Sequence, residues 1–135
     1  MIDSFKHDMD EAAVELVRRW HDALNERRID DLVRLVAEDV EIGGPRGTTS
    51  GVQVMRDWFE RADVRLYPQR IFAVGSTVVV EQAGEWGIDR PENDPDRQVV
   101  ATIFTVAGGL ITGIVRHPDA ATALHEAGLN EEDEV

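Results

Sequence analysis

Two glutamates, a histidine and an arginine are the side chains of this sequence that could carry chemistry. Glu81 and Glu85 stand in one alternating row of an apolar stretch, and Arg116 and His117 end a later one. A carboxylate in apolar surroundings can act as a base, and an imidazole can shuttle protons near neutral pH. A guanidinium binds carboxylate, phosphate or enolate oxygens. Glu81, Glu85 and His117 are therefore candidate catalytic residues, and Arg116 is a candidate anion-binding residue.

Each of these residues also has a plainer interpretation. Arg116 could form a salt bridge with a neighbouring acid such as Asp119, and His117 could be a polar strand end. In the stretch 77–87, one row holds Val78, Val80, Gln82 and Trp86, and the other holds Val79, Glu81, Ala83 and Glu85. The less charged Gln82 row is expected to face the interior. The opposite parity would bury Glu81 or Glu85 and make it a candidate base.

The sequence offers no pattern for a metal or a cofactor. It has no cysteine, which excludes disulfides, thiolate metal sites and a cysteine nucleophile. The four histidines show no ligand spacing, and His21 has Asn25 rather than histidine one helical turn later. A glycine-rich phosphate loop is also absent. We therefore expect no metal and no cofactor.

Composition predicts one domain across residues 1–135. That length suits a single core, and the net charge of −13 disfavours binding to nucleic acid. An uninterrupted apolar run of about 18 residues is lacking, so we expect no membrane span. The acidic N-terminus is unlike a signal peptide, so the expected location is cytoplasmic. The acidic tail, residues 130–135, is predicted to be disordered.

The spacing of apolar residues predicts three N-terminal helices. The first carries Met9, Ala13, Leu16, Val17, Trp20 and Leu24 on one face. Asp30 is the expected N-cap of a short second helix, followed by a strand at 40–42 and a loop at 43–51. Ser50-Gly51 opens the third helix, 52–62, which buries Met55, Trp58 and Phe59.

Four strands and one helix follow. The strands lie near 66–74, 77–87, 97–107 and 110–116, with tight turns at Gly75-Ser76 and Gly108-Gly109 and a polar loop at 89–96. Pro118-Asp119 starts a last helix that ends at Gly128. The predicted fold is an α+β cone. Its curled antiparallel sheet packs against the three N-terminal helices, and a short helix closes the chain.

The later strands are apolar on both faces. We therefore expect each face to be covered, either by helices of the same chain or by a second copy. We expect Val99, Ala101 and Ile103 to face the helices. The opposite face would then expose an apolar row consisting of Val100, Phe104, Val106, Ile111 and Val115. This pattern predicts a homodimer through the sheet face. The alternative is a monomer whose terminal helices cover the second face.

This order of elements, with two local motifs, resembles a known superfamily. The motifs are the opening Trp20-His21-Asp22-Ala23-Leu24-Asn25 and the ending Ala123-Leu124 … Ala127-Gly128-Leu129. The chain resembles the nuclear transport factor 2-like superfamily, in its SnoaL-like and ketosteroid isomerase-like branch. The resemblance implies a cone-shaped fold with a deep pocket between sheet and helices.

The catalytic residues of that branch have no counterpart here. Under the resemblance, the isomerase's proton-donating tyrosine falls on Trp20 and its carboxylate base on Gly44. A supporting tyrosine falls on Phe59, and a second acid falls on Ala101. Moving a proton beside a carbonyl needs a base and strong donors, so isomerase activity by that mechanism is not expected. The limonene epoxide hydrolase branch carries an aspartate in its last strand, and under the same resemblance this chain has Arg116 at that position.

The sequence therefore predicts a small-molecule-binding protein of unknown specific activity. The ligand would be apolar and of roughly steroid or polyketide size, with any anionic group bound by Arg116. The predicted pocket residues are Trp20, Ile42, Met55, Phe59, Val99, Ala101, Ile103, Ile114 and Arg116. One alternative is an isomerase, polyketide cyclase or epoxide hydrolase with relocated acid and base residues. A second is a protein-interaction module that uses the outer sheet face.

Overall fold

The computed structural model describes residues 2–44, 46–86 and 98–135. The predicted polar loop at 89–96 lies outside these residues, and the side chain of Trp86 is not among those described. Within them, the element order is that of the predicted α+β cone, with helices packed on a curled, open sheet. No described helix is both long enough and apolar enough to cross a membrane.

Three helices precede most of the sheet and one follows it, as predicted. They are α1 (Ile2–Asn25), α2 (Ile29–Arg34), α3 (Val52–Ala62) and α4 (Ala120–Ala127). Helix α4 begins where the sequence indicates, because the Asp119 side chain accepts a hydrogen bond from the Thr122 N–H at 2.8 Å. It ends at Gly128, whose φ of 74° is the left-handed conformation that favours glycine.

The predicted cap of α2 is wrong. Arg28, not Asp30, occupies the N-cap position, and no side chain caps this helix. Asp30 instead lies in the first turn, where its negative charge is favourable next to the helix N-terminus.

The sheet has six strands rather than the five predicted. They are β1 (Val36–Gly44), β2 (Gly47–Ser50), β3 (Val64–Val74), β4 (Thr77–Trp86), β5 (Gln98–Ala107) and β6 (Leu110–His117). Their order across the sheet is β2-β1-β6-β5-β4-β3. All neighbours are antiparallel except β1 and β6, which run parallel.

The extra strand lies in the segment predicted as a loop. Gly43 pairs with Thr48, and a Cβ at Gly43 would lie 2.5 Å from the Gly47 carbonyl oxygen. Glycine therefore permits the close approach of β1 and β2. In the sequence, the same glycines had indicated a loop.

The inward row of β5 is the reverse of the prediction. Val100, Thr102 and Phe104 face the helices, while Ala101 and Ile103 pack on the other side of the sheet with α4. Both rows of this strand are largely apolar, so alternation does not distinguish them. A one-residue error in parity moves every side chain to the opposite face.

Two apolar clusters result, one on each face of the sheet. The larger lies between the inner face and helices α1 to α3. The smaller lies under α4 and consists of Phe72, Val79, Ala101, Ala120, Ala123, Leu124 and Leu129. Helix α4 thus covers part of the outer face, as the monomer alternative expected.

The residues on which the dimer prediction rested are mostly interior. Val100, Phe104 and Ile111 belong to the larger cluster, and Val106 packs against it. Only Val115 lies on the outer face, beside its cross-strand partner Ile103. The exposed apolar side chain of that face is Val99, at 56%.

The acidic end of the chain is ordered, contrary to the prediction. Residues Glu131–Asp133 form a 3₁₀ helix capped by Asn130. The Arg70 guanidinium pairs with Glu131 and, at 2.9 Å, with Glu134. The Val135 N–H donates to the Ile71 carbonyl oxygen at 2.9 Å. The tail therefore covers part of the free edge of β3.

Candidate ligand pocket

A cavity of about 220 Å³ lies between the inner sheet face and helices α1 and α3. Its lining is mostly apolar and comes from β1, β3, β5 and β6 as well as from the two helices. The lining residues are Trp20, Ile42, Gly43, Gly44, Met55, Trp58, Leu66, Thr102, Ile114 and Arg116.

Aromatic packing fixes the position of Trp20 in the wall. Its ring stacks on Trp58 with centroids 6.3 Å apart and meets Phe104 edge-on at 5.1 Å. Such offset and edge-on arrangements are the favoured geometries of aromatic pairs. Trp20 has 0% exposure, so α1, α3 and β5 together hold one indole against the cavity.

The indole N–H of Trp20 is buried without a hydrogen-bond partner. In the part of the chain that the structure describes, only one other side-chain atom, Nη1 of Arg27, shares this state. Burying a donor without an acceptor costs roughly 1–3 kcal/mol.

Three buried polar side chains form a hydrogen-bonded chain behind the wall. His21 Nδ1 lies 2.8 Å from the Val17 carbonyl oxygen, and His21 Nε2 lies 2.8 Å from Gln82 Nε2. The Thr102 hydroxyl donates to Gln82 Oε1 at 2.8 Å. This His21–Gln82–Thr102 network crosses from α1 to β4 and β5 and reaches the cavity at Thr102.

Burial lowers the pKa of His21 to about 4, although the bond to the Val17 carbonyl acts in the opposite direction. The imidazole is therefore neutral near pH 7 and carries one ring proton. Since a carbonyl oxygen can only accept, that proton lies on Nδ1. Nε2 then accepts from the amide nitrogen of Gln82.

Asn25 fixes another part of the wall. Its side chain donates to the Leu66 carbonyl oxygen at 2.8 Å and accepts from the Leu66 N–H at 2.9 Å. The end of α1 is thereby bound to β3 at a residue that lines the cavity.

The charged candidates from the sequence do not meet in the cavity. The Gln82 row faces inward as expected, which leaves Glu81 and Glu85 on the outer face. Their neighbours in register on β3 are Arg70 and Arg65. His117 pairs with Ala101 and also lies outside. No carboxylate belongs to the cavity lining among the described residues.

Arg116 reaches the cavity but remains solvent-exposed at its mouth. It lines the cavity as predicted and already takes part in an interaction within the protein. Asp119, the acid expected beside it, accepts the α4 cap bond from Thr122.

Five of the predicted pocket residues line the cavity: Trp20, Ile42, Met55, Ile114 and Arg116. Phe59 is buried beside it, under the Arg27 guanidinium at 3.7 Å from the ring centroid. The predictions of Val99, Ala101 and Ile103 are wrong because the β5 parity was wrong. Because of the same error, Thr102 was not predicted as a pocket residue. A polar side chain on an otherwise apolar strand was the signal that could have identified it.

Gly44 leaves space where a side chain could stand. It lines the cavity, and an added Cβ would meet only the Arg116 carbonyl oxygen, at an ordinary 3.6 Å. The described residues hold no cluster of three or more potential metal ligands.

Comparison with known proteins assigns this architecture. The SnoaL-like domain family matches residues 17–114. No curated protein matches the chain. A putative ketosteroid isomerase from Kribbella flavida is 24% identical over 82% of this chain and 81% of its own, with a TM-score of 0.70.

Two further solved structures share the fold. An NTF2-like protein of unknown function from Cytophaga hutchinsonii is 16% identical over 83% of this chain and 94% of its own, with a TM-score of 0.69. A protein with a ketosteroid isomerase-like fold from Catenulispora acidiphila, in complex with trimethylamine, is 20% identical over 87% and 95%, with a TM-score of 0.61.

The neutral state of His21 predicts a specific acid sensitivity. Its folded-state pKa of about 4 lies below the ordinary 6.5, so between these values the unfolded chain binds a proton that the folded chain does not. The stability from the neutral imidazole is complete above pH 6.5. It is lost as pH falls through this window, by up to about 1.4 kcal/mol per pH unit. Urea unfolding from pH 7 to 4 measures it.

His21→Gln should flatten that dependence, and His125→Gln, at an exposed position of α4, should preserve it. An equal pH dependence in wild type and His21→Gln would show that His21 does not titrate as described.

Proposed function

Because the chain belongs to the SnoaL-like domain family, we propose that it binds a small, mainly apolar molecule in the cavity between the sheet and helices α1 and α3. One observation carries the proposal: a cavity of about 220 Å³ with a mostly apolar lining lies between the inner sheet face and helices α1 and α3. Apolar contact would supply most of the affinity, at roughly 25 cal/mol per Å² of surface removed from water.

The cavity volume bounds the size of the ligand. At about 220 Å³ it exceeds the roughly 150 Å³ of an engineered apolar cavity that accepts benzene, and it is below the roughly 300 Å³ at which drug-sized pockets begin. We therefore propose a ligand of one or two rings. Any longer substituents would extend through the mouth of the cavity into solvent. A four-ring steroid is too large to be enclosed within this volume.

The chemistry of the lining favours binding over proton transfer. Trp20 and Gly44 line the cavity at the positions where the resemblance placed a tyrosine and a carboxylate. Glu81, Glu85 and His117, on which the alternative enzymes would depend, lie on the outer face. The fold's capacity for small guests is supported by the Catenulispora protein, whose structure contains trimethylamine.

Filling the cavity tests the proposal. Gly44→Leu should place its side chain in the free space and abolish binding of 2-naphthol, a fluorescent two-ring probe. Thr48→Leu adds the same side chain on exposed β2 and should bind like wild type. Titration at constant protein concentration, with circular dichroism to confirm the fold, measures both. Undiminished binding by a folded Gly44→Leu variant would place the probe elsewhere.

Arg116 is proposed to favour ligands with an anionic group at the mouth. Arg116 lines the cavity and is solvent-exposed, although binding an anion there requires its present interaction to yield. Arg116→Ala should weaken a two-ring carboxylate by about 1 kcal/mol, less than a buried charged hydrogen bond because the site is open to solvent. The matched alcohol should change little. Equal losses for acid and alcohol would make Arg116 structural.

A homodimer through the outer sheet face also remains a proposal, now on different residues. Val99 is exposed there, and Ile103 and its cross-strand partner Val115 are half-buried on the same face. Sedimentation equilibrium should show a dimer for wild type and a monomer for Val99→Asp. Leu110→Asp, at the β5–β6 turn, is the matched control. A monomeric wild type would contradict this proposal.

A further inference from the structure

Strand β3 stands at one end of the sheet, where an edge strand presents its backbone groups to whatever can pair with them. Side chains of α1 bind this strand near both of its ends. The Asn25 side chain donates to the Leu66 carbonyl oxygen at 2.8 Å and accepts from the Leu66 N–H at 2.9 Å. Just beyond the other end, the Gly75 N–H donates to the Asp10 carboxylate. The stretch of β3 between these two contacts is closed by a different part of the chain.

The acidic tail, residues 130–135, occupies that stretch as an added strand would. The Val135 N–H donates to the Ile71 carbonyl oxygen at 2.9 Å, and Glu134 forms an antiparallel bridge with Phe72. This is the arrangement of β-strand addition, in which main-chain hydrogen bonds give affinity and side-chain contacts give specificity.

Arg70 adds recognition of charge to this edge. Its guanidinium donates to the carboxylates of Glu131 and, at 2.9 Å, of Glu134, which stand three residues apart in the tail. The same guanidinium lies 4.8 Å from the centroid of the Phe72 ring. Its hydrogen bond lowers the pKa of the Glu134 carboxyl, so the pair is ionised at neutral pH. The edge therefore holds an extended segment and favours one with two negative charges at this spacing.

The tail is held at the surface and can leave without unpacking the core. All six of its residues are exposed or half-buried. The buried anchor at this end of the chain is Leu129, which precedes the tail and packs in the smaller apolar cluster. Solvent-exposed ion pairs such as those of Arg70 contribute little free energy. Release of the tail therefore uncovers the backbone of Ile71 at small cost.

We propose that the β3 edge from Arg70 to Phe72 is a docking site for an extended acidic segment of another protein, and that the acidic tail is its autoinhibitory occupant. The tail shows the chemistry of the partner: two carboxylates three residues apart and a main chain that pairs with the edge. An attached tail has an effective concentration in about the millimolar range, so a partner displaces it by making further contacts outside this edge. The site does not include cavity-lining residues, and the inference does not depend on the proposed binding of a small molecule.

A full-length variant with a reversed tail charge tests the proposal. Glu131→Lys/Glu134→Lys should free the edge, because its tail then repels Arg70. The probe is an unlabelled, N-acetylated peptide with the sequence of the native tail, Asn-Glu-Glu-Asp-Glu-Val. It should move the Ile71 and Phe72 amide resonances of the ¹⁵N-labelled variant toward their wild-type positions, with a Kd in about the millimolar range. Wild type should bind the peptide about tenfold more weakly, because apparent affinity falls with the fraction of molecules whose edge is open.

Two controls identify the contacts. The peptide Asn-Lys-Glu-Asp-Lys-Val should not bind the double variant. Adding Arg70→Gln to that variant should weaken the acidic peptide about fivefold, the upper range for exposed ion pairs. Adding Arg61→Gln, at an exposed position of α3, should leave its Kd unchanged.

Wild type alone gives a second measurement, which decides the matter even if the double variant fails to fold. Excess acidic peptide should move the Val135 amide resonance toward the position of an unstructured C-terminal residue. A Val135 resonance that stays in place, or equal affinities for the acidic and the lysine peptide, would overturn the proposal. So would a larger assembly of the double variant than of wild type in sedimentation equilibrium without peptide, because the freed edge would then take a second copy. None of these results alters binding of 2-naphthol in the cavity, so the proposed function is tested separately.

Discussion

The hydrogen bonds from the Val17 carbonyl through His21 and Gln82 to Thr102 connect helix α1 with strands β4 and β5 inside an otherwise apolar core. A buried polar group without a partner is costly, so these three side chains constrain one another and the elements that carry them. The inward parity of both strands agrees with this network. The same network places Thr102, whose hydroxyl donates its proton to Gln82, in the wall of the cavity.

The remainder of the cavity suits an apolar guest. Aromatic packing holds Trp20, the absence of a side chain at Gly44 leaves room, and no described carboxylate lines the space. Reactions that move a proton beside a carbonyl need a base at the reacting atom, and this wall has none among the described residues. The lining suits the binding of a small apolar molecule, which is the function proposed above.

Elements with one clear physical signal were predictable from the sequence. The caps of α4 follow from Asp119 and Gly128, and the inward row of β4 follows from keeping Glu81 and Glu85 out of the core. Which row of β5 faces the helices could not be predicted from the sequence, because both rows are apolar. The ordered tail did not follow either, since Arg70 pairs with Glu134 across 64 positions of sequence. Five of the predicted pocket residues line the cavity, and Thr102 was missed because the β5 parity was wrong.

The most direct test of the binding site follows the indole N–H resonances of Trp20 and Trp58, assigned by their loss in Trp20→Phe and Trp58→Phe, in a ¹⁵N–¹H spectrum. Saturating tetralin, a two-ring apolar probe, should shift both resonances, because both residues line the cavity. If tetralin binds and both resonances stay in place, the probe binds elsewhere and the central claim fails.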